Sequence, residues 1–179
     1  MRKMKQKAQV WIETVLYTLI GLVLIGVVLS FVYPKINEAR DNVLVEQAKN
    51  SLNALDEKIN EVIQRGVGNS RETEFSMKKG ELYINSSGDN IIFVLPELTK
   101  PVSEPGIEIT EGRIKMISVK GQKTSTVYLR LNYPIDLNYA GKNELKKFSP
   151  AATPYKFFIE NKGIANGTAL INIEEISNR

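Results

Sequence analysis

The chain has no cysteine and no histidine among its 179 residues. Without cysteine there is no disulfide framework, no thiolate nucleophile and no Cys-type zinc site. Without histidine, the commonest general base and the commonest metal ligand are both missing. An excess of one charge sign is also absent from most of the chain. Lys+Arg number 24 against 20 Asp+Glu, a net of +4, and Arg2, Lys3, Lys5 and Lys7 account for the whole excess. The isoelectric point of about 9.2 is therefore a property of a short leader. It gives no support to a nucleic-acid partner, which needs basic residues spread over a folded surface.

Beyond the leader the chain turns apolar. From Thr14 to Tyr33 there is no charged residue. A helix of about 20 residues rising ~1.5 Å each spans a hydrocarbon core of ~30 Å. Basic residues lie before the run, whereas Lys35, Glu38, Arg40 and Asp41 form a mixed flank after it. This asymmetry predicts a single pass with the amino end in the cytoplasm and the rest of the chain outside. The exit, Ser30 to Pro34, is bulky and lacks the small-x-small pattern of a cleaved secretory signal. An uncleaved signal anchor fits the hydropathy but leaves Glu13, beside Trp11 at the top of the run, without a purpose. A carboxylate there is either an interfacial group reaching water or a charge awaiting a positive partner.

The segment Lys7, Ala8, Gln9, Glu13, Leu16 resembles the class III signal peptide of archaeal type IV pilin-like proteins, the superfamily of archaellins and adhesion pilins. The chain departs from that pattern at Trp11, where serine is frequent, and at Gln6, where a second basic residue is frequent. The resemblance covers roughly residues 1–35. It implies that a prepilin-type peptidase cuts between Ala8 and Gln9, and that the apolar helix then leaves the membrane and packs with identical or related subunits on a pilus assembly platform. It also implies that Glu13 pairs with the new amino group of Gln9, in the same or a neighbouring copy, with Leu16 on the assembling surface. Independently, loss of residues 1–8 removes the positive charge that holds the amino end in the cytoplasm, and a buried carboxylate is tolerated once it gains a charged partner.

Beyond Pro34, which can kink or restart a helix, the apolar residues Ile36, Ala39, Val43, Ala48, Leu52, Leu55, Ile59 and Val62 recur at mostly three- and four-residue steps. They predict an amphipathic helix ending at Gly66 and Gly68, with its stripe packed on the chain's own remaining residues. From about Thr73 the pattern becomes short and alternating. The runs around Phe75, Leu82–Ile84, Ile91–Leu95, Ile107–Ile109, Ile114–Val119, Val127–Leu131, Lys156–Glu160 and Ala169–Ile173 predict seven or eight strands. Pro134 to Pro154 reads as a long surface loop. The expected class is α+β: a long amino-terminal membrane or filament helix, an amphipathic stalk, and an antiparallel β-sheet or β-sandwich. The expected divisions are a cleaved leader 1–8, a polymerisation helix 9–34, an amphipathic helix 35–66 and an extracellular β domain 67–179.

Other motifs carry less. Asn85 and Asn166 begin sequons for N-glycosylation. Ser76 to Lys79 has the S-x-x-K spacing of penicillin-recognising hydrolases, but it falls on a strand entering a turn and lacks partner motifs. Gly66 to Gly68 follows a helix and is too short for a phosphate loop. Asp89 with Asn90, and Glu174 with Glu175, read as solvated turns before calcium ligands. Lys146, Lys147 and Phe148 form a small basic-aromatic patch. No catalytic residue, metal site or cofactor is expected. The sequence reads as a structural filament subunit at the cell surface, the alternative being an uncleaved single-pass anchor presenting a β binding domain.

Overall fold

The computed structural model describes the backbone of residues 2–165 and 167–176, and the side chains of these from Val10 onward. One helix, α1 (Arg2–Arg65), precedes ten strands among the described residues. The class is α+β, a long apolar amino-terminal helix followed by largely antiparallel sheets. The chain divides into two compact units, Met1–Ala39 and Arg40–Arg179. The first holds the apolar part of α1.

In the second unit, the strands are β1 (Ser70–Phe75), β2 (Glu81–Asn85), β3 (Asn90–Leu98), β4 (Glu108–Glu111), β5 (Ile114–Lys120), β6 (Ser125–Asn132), β7 (Asp136–Tyr139), β8 (Leu145–Phe148), β9 (Tyr155–Ala165) and β10 (Thr168–Glu175). They form a four-stranded sheet in the order β1-β9-β10-β7 and a six-stranded sheet in the order β4-β5-β6-β3-β2-β8. All pairings are antiparallel except β10 with β7, which is parallel. Strict alternation drives this arrangement. Leu82, Ile84, Ile91, Phe93, Leu95, Val127, Leu129 and Leu131 are buried, while the residues between them face outward. A period of two puts one face of each strand in the core and the other toward water.

The core joins three surfaces. Val45, Ala48, Leu52, Leu55, Ile59 and Val62 from α1 lie in one buried cluster with residues of both sheets. Each fully buried Leu, Ile or Phe contributes about 1.5–3 kcal/mol relative to leaving it in water. Aromatic contacts bridge the sheets: Phe75 of β1 lies 5.8 Å from Phe93 of β3, and Phe148 of β8 lies 5.1 Å from Phe157 of β9. Polar ties fasten the helix at several heights. The Tyr133 hydroxyl donates to Asp56 at 2.8 Å, and Arg113 reaches Asp56 at 3.2 Å and Asn60 at 2.6 Å. Lys49 pairs with Glu111 at 2.6 Å and Glu46 at 2.8 Å, and Arg71 pairs with Glu61 at 2.8 Å. Hydrogen bonds to Glu111 and then Glu46 hold the Lys49 ammonium above the usual lysine range.

The helix ends where the glycines predict. Gly66 takes the left-handed conformation with φ +84, and the Asn69 side-chain amide donates to the carbonyl of Arg65 at 2.9 Å. One terminal carbonyl is thereby satisfied without water. Gly80 is needed for a different reason: a Cβ there would stand 2.6 Å from the carbonyl oxygen of Val94 and 2.9 Å from the Phe93 ring.

Three expectations require correction. The stripe on α1 begins later than the periodicity suggests: Ile36, Ala39 and Val43 are exposed, and Val45 is the first of its buried residues. The segment from Pro134 to Pro154 is not a single loop, because β7 and β8 lie within it. β7 gains its backbone partners from β10, more than 30 residues later in the chain, a pairing that leaves no local signal. β8 buries only Phe148, so it shows no alternation. The sheets are also not wholly antiparallel, for the reason β7 supplies.

Candidate assembly surface

The first unit carries the residues singled out for assembly. Val10 to Tyr33 is helical throughout, and its side chains are exposed apart from the half-buried Gly21. Trp11, Tyr17 and Phe31 are each about 70% exposed. One helix among the described residues, Val10–Arg65, is long and apolar enough to cross a membrane; its most apolar 18-residue window has a mean hydropathy of 2.7 and no buried part. A helix that is apolar on all sides needs hydrocarbon or other apolar helices around it.

Three hydroxyls within the run bond back along the helix. The Thr14 hydroxyl donates to the carbonyl of Val10 at 2.9 Å, Thr18 to Thr14 at 2.8 Å, and Ser30 to Val27 at 2.7 Å. These back-bonds satisfy those three hydroxyls without water. Pro34 sits inside the helix, where its missing N–H withdraws the usual donor from the carbonyl four residues earlier. A Cβ at Gly21 or Gly26 would meet nothing within 4 Å among the described residues outside the helix's own backbone. Small residues on an apolar helix let a neighbouring helix approach closely.

Glu13 and Leu16 are both exposed on this helix, three residues apart and so on one face. Gln9 lies four residues before Glu13, about one helical turn away. The backbone of Lys7, Ala8 and Gln9 is helical, and their side chains lie outside the described residues.

The second unit accounts for the weaker motifs. Lys79 donates to the carbonyl of Glu97 at 3.0 Å, which ties its ammonium to backbone. Asn85 is half-buried at the end of β2, and its amide donates to Asn90 at 3.3 Å; a glycan there must first displace that contact. Asn166 lies outside the described residues. Asp89 accepts the backbone N–H of Leu137 at 2.9 Å and serves the turn before β3. Lys147 pairs with Glu81 at 2.6 Å, and Lys146 lies 5.3 Å from the centre of the Tyr139 ring. Among the described residues, no group of three or more acidic side chains converges. Sequence reasoning missed the outer face of the six-stranded sheet, whose hollow is assembled from four strands. Only the alternation of each strand, once paired in register, reveals it.

Compared with known proteins, the chain matches no protein-family profile, no curated protein and no solved structure.

Proposed function

We propose that this chain is a structural subunit of an archaeal type IV pilus-like surface filament, assembled through its amino-terminal helix. The observation that carries the reading is the exposed, charge-free helical surface from Thr14 to Tyr33, with Glu13 one turn beyond Gln9 at its start. Each large apolar side chain left in water costs about 1.5–3 kcal/mol, so this surface must be covered, first by a bilayer and then by copies of itself.

The steps follow from charge and geometry. Arg2, Lys3, Lys5 and Lys7 hold the amino end in the cytoplasm while the helix spans the membrane. A prepilin-type peptidase cuts between Ala8 and Gln9. That cut removes the basic leader and creates an ammonium on Gln9 within a helical turn of Glu13. A carboxylate beside an ammonium can enter an apolar environment as a pair, where either charge alone is held back by several kcal/mol of desolvation. The helix then moves from lipid into a bundle of its copies, and the β unit is displayed outside the cell.

The experiment is to express Glu13→Ala with the peptidase and compare membrane fractionation with filament imaging. Insertion should be unchanged, because one charge fewer only favours the bilayer, and filaments should be lost. Filaments of normal number and length from this variant would overturn the docking role of Glu13.

A further inference from the structure

A polar hollow lies at the open edge of the four-stranded sheet, where β7 is the last strand and the 3-10 turn Ser86–Gly88 between β2 and β3 packs beside it. Its volume is about 200 Å³, and Ser86, Asp89, Asp136, Asn138 and Asn143 contribute to its lining. No lysine or arginine lines it among the described residues. Segments distant in the chain are held together here. The backbone N–H of Leu137 donates to Asp89 Oδ1 at 2.9 Å, which fixes that carboxylate against the β7 edge. Asp136 and Asn138 flank Leu137 and are both half-buried, so alternation places them on one face of the strand. The Ser87 hydroxyl donates to Asn143 Oδ1 at 3.0 Å and ties the segment before β8 to the turn.

Several oxygens around this hollow are unused. Ser86 is only 3% exposed, and its Oγ has no hydrogen-bond partner. Along β2, Leu82 and Ile84 point into the core; Ser86 continues that inward phase past Asn85 and so faces the space beside β7. A buried hydroxyl left unpaired is destabilising, and native folds rarely keep one without a further partner. Asp89 uses Oδ1 alone, and the Asn138 side chain makes no hydrogen bond among the described residues. The hollow thus gathers carboxylate, amide and hydroxyl oxygens with no cation of the chain's own in its wall.

We propose that this hollow binds calcium. A chain without cysteine or histidine offers oxygen ligands, which suit hard cations. Magnesium demands a near-ideal octahedral shell, whereas calcium accepts about six to eight oxygens in irregular arrangements and completes them with water. A hollow built from a turn, an edge strand and a loop is of the second kind. With Asp89 and Asp136 as its charged ligands and the rest neutral, the site belongs to the weak range of roughly 10⁻⁴–10⁻³ M found in extracellular modules. The bound ion would tie the turn of the six-stranded sheet to β7 of the four-stranded sheet. Asp89 reads as a solvated turn in the sequence because Asp136 joins it only once β7 has paired with β10. The inference does not depend on the filament reading.

The test titrates calcium alone into the full chain in detergent, after treatment with chelator. At a dissociation constant of about 1 mM, 10 mM calcium should raise the melting temperature of the β unit by about 4 °C. Magnesium at the same concentration should raise it by less than about 1 °C. Asp136→Asn should keep its fold in chelator and lose the calcium response. Ser86→Ala should melt no lower than the native chain in chelator, yet bind calcium about threefold more weakly, a pairing that a purely structural serine would not give. Asn138→Asp adds a carboxylate and should tighten binding about tenfold. No calcium response in the native chain, or a response that survives Asp136→Asn, would overturn the site. An equal response to magnesium would overturn the assignment to calcium. If Asp136→Asn does not fold, Asn138→Asp decides: an unchanged affinity would overturn the proposal and a tighter one would support it.

Discussion

Replacing Asp56 with alanine tests how the helix is fastened inside the β unit. The Asp56 side chain is only 10% exposed, whereas its ion-pair partner Arg113 is 42% exposed. Removing the carboxylate leaves the buried Tyr133 hydroxyl without its acceptor, a loss of about 1–3 kcal/mol. Arg113 still has Asn60 and the carbonyl of Asn132 as acceptors and can turn toward water, so its share is under about 1 kcal/mol. The expected cost is about 2 kcal/mol, which for a unit of this size lowers the melting temperature by about 6–8 °C. The assay is urea and thermal unfolding of the full chain in detergent, followed by the near-ultraviolet circular dichroism of tyrosine. Tyr133→Phe alone should cost about 1 kcal/mol, and Asp56→Ala should cost about 1 kcal/mol less in that background than in the native one. Glu57→Ala, an exposed neighbour on the same helix, should stay within about 0.5 kcal/mol. If Asp56→Ala were as mild as Glu57→Ala, the Asp56–Tyr133–Arg113 network would not fasten the helix.

Burial along α1 predicts a sharp contrast in the same assay: Leu52→Ala should cost about 2–5 kcal/mol and Val43→Ala less than about 0.5 kcal/mol. Equal losses would contradict the corrected position of the stripe. A pH series tests the pairing of Glu61, whose pKa is lowered by hydrogen bonds from Lys58 first and Arg71 second. A depressed carboxyl pKa stabilises the fold above the ordinary value of 4.5, and that contribution is lost as pH falls through the folded value. Arg71→Gln should therefore destabilise at pH 7 and have a much smaller effect near pH 2; an equal effect at both would mean that Arg71 acts through packing. Lys49 runs the other way, since its pKa is raised by Glu111 and Glu46. Its contribution is full below the ordinary lysine value and is lost as pH rises through the folded one, so Lys49→Met should lose its effect only in strong alkali, as read by unfolding at pH 8 and above 11.

Much of the fold was legible because it rests on local pattern. An uncharged stretch of membrane length, a stripe at Ala48, Leu52, Leu55, Ile59 and Val62, and a glycine stop at Gly66 all depend on neighbours within a few residues. The strands around Ile91–Leu95 and Val127–Leu131 declare themselves by alternation for the same reason. The misplacement of the stripe at Val43 has a simple cause: at the entry to the unit both Val43 and Val45 fit a helical spacing, and only the position of the sheets selects Val45. β7 and β8 were hidden because prolines and glycine surround them and their partners are distant in the chain. Of the candidate site, short-range register puts Glu13 and Leu16 on one helix face, while the sheet hollow needs four strands brought together before Arg130 stands beside Tyr128 and Tyr83.

The most direct test of the filament account is the mass of the amino-terminal peptide of protein recovered from membranes, with the prepilin-type peptidase present and absent. The account predicts a chain beginning at Gln9 when the peptidase is present and an intact leader when it is absent. An intact leader under both conditions would contradict it, and the chain would then be a permanent single-pass anchor for its β unit.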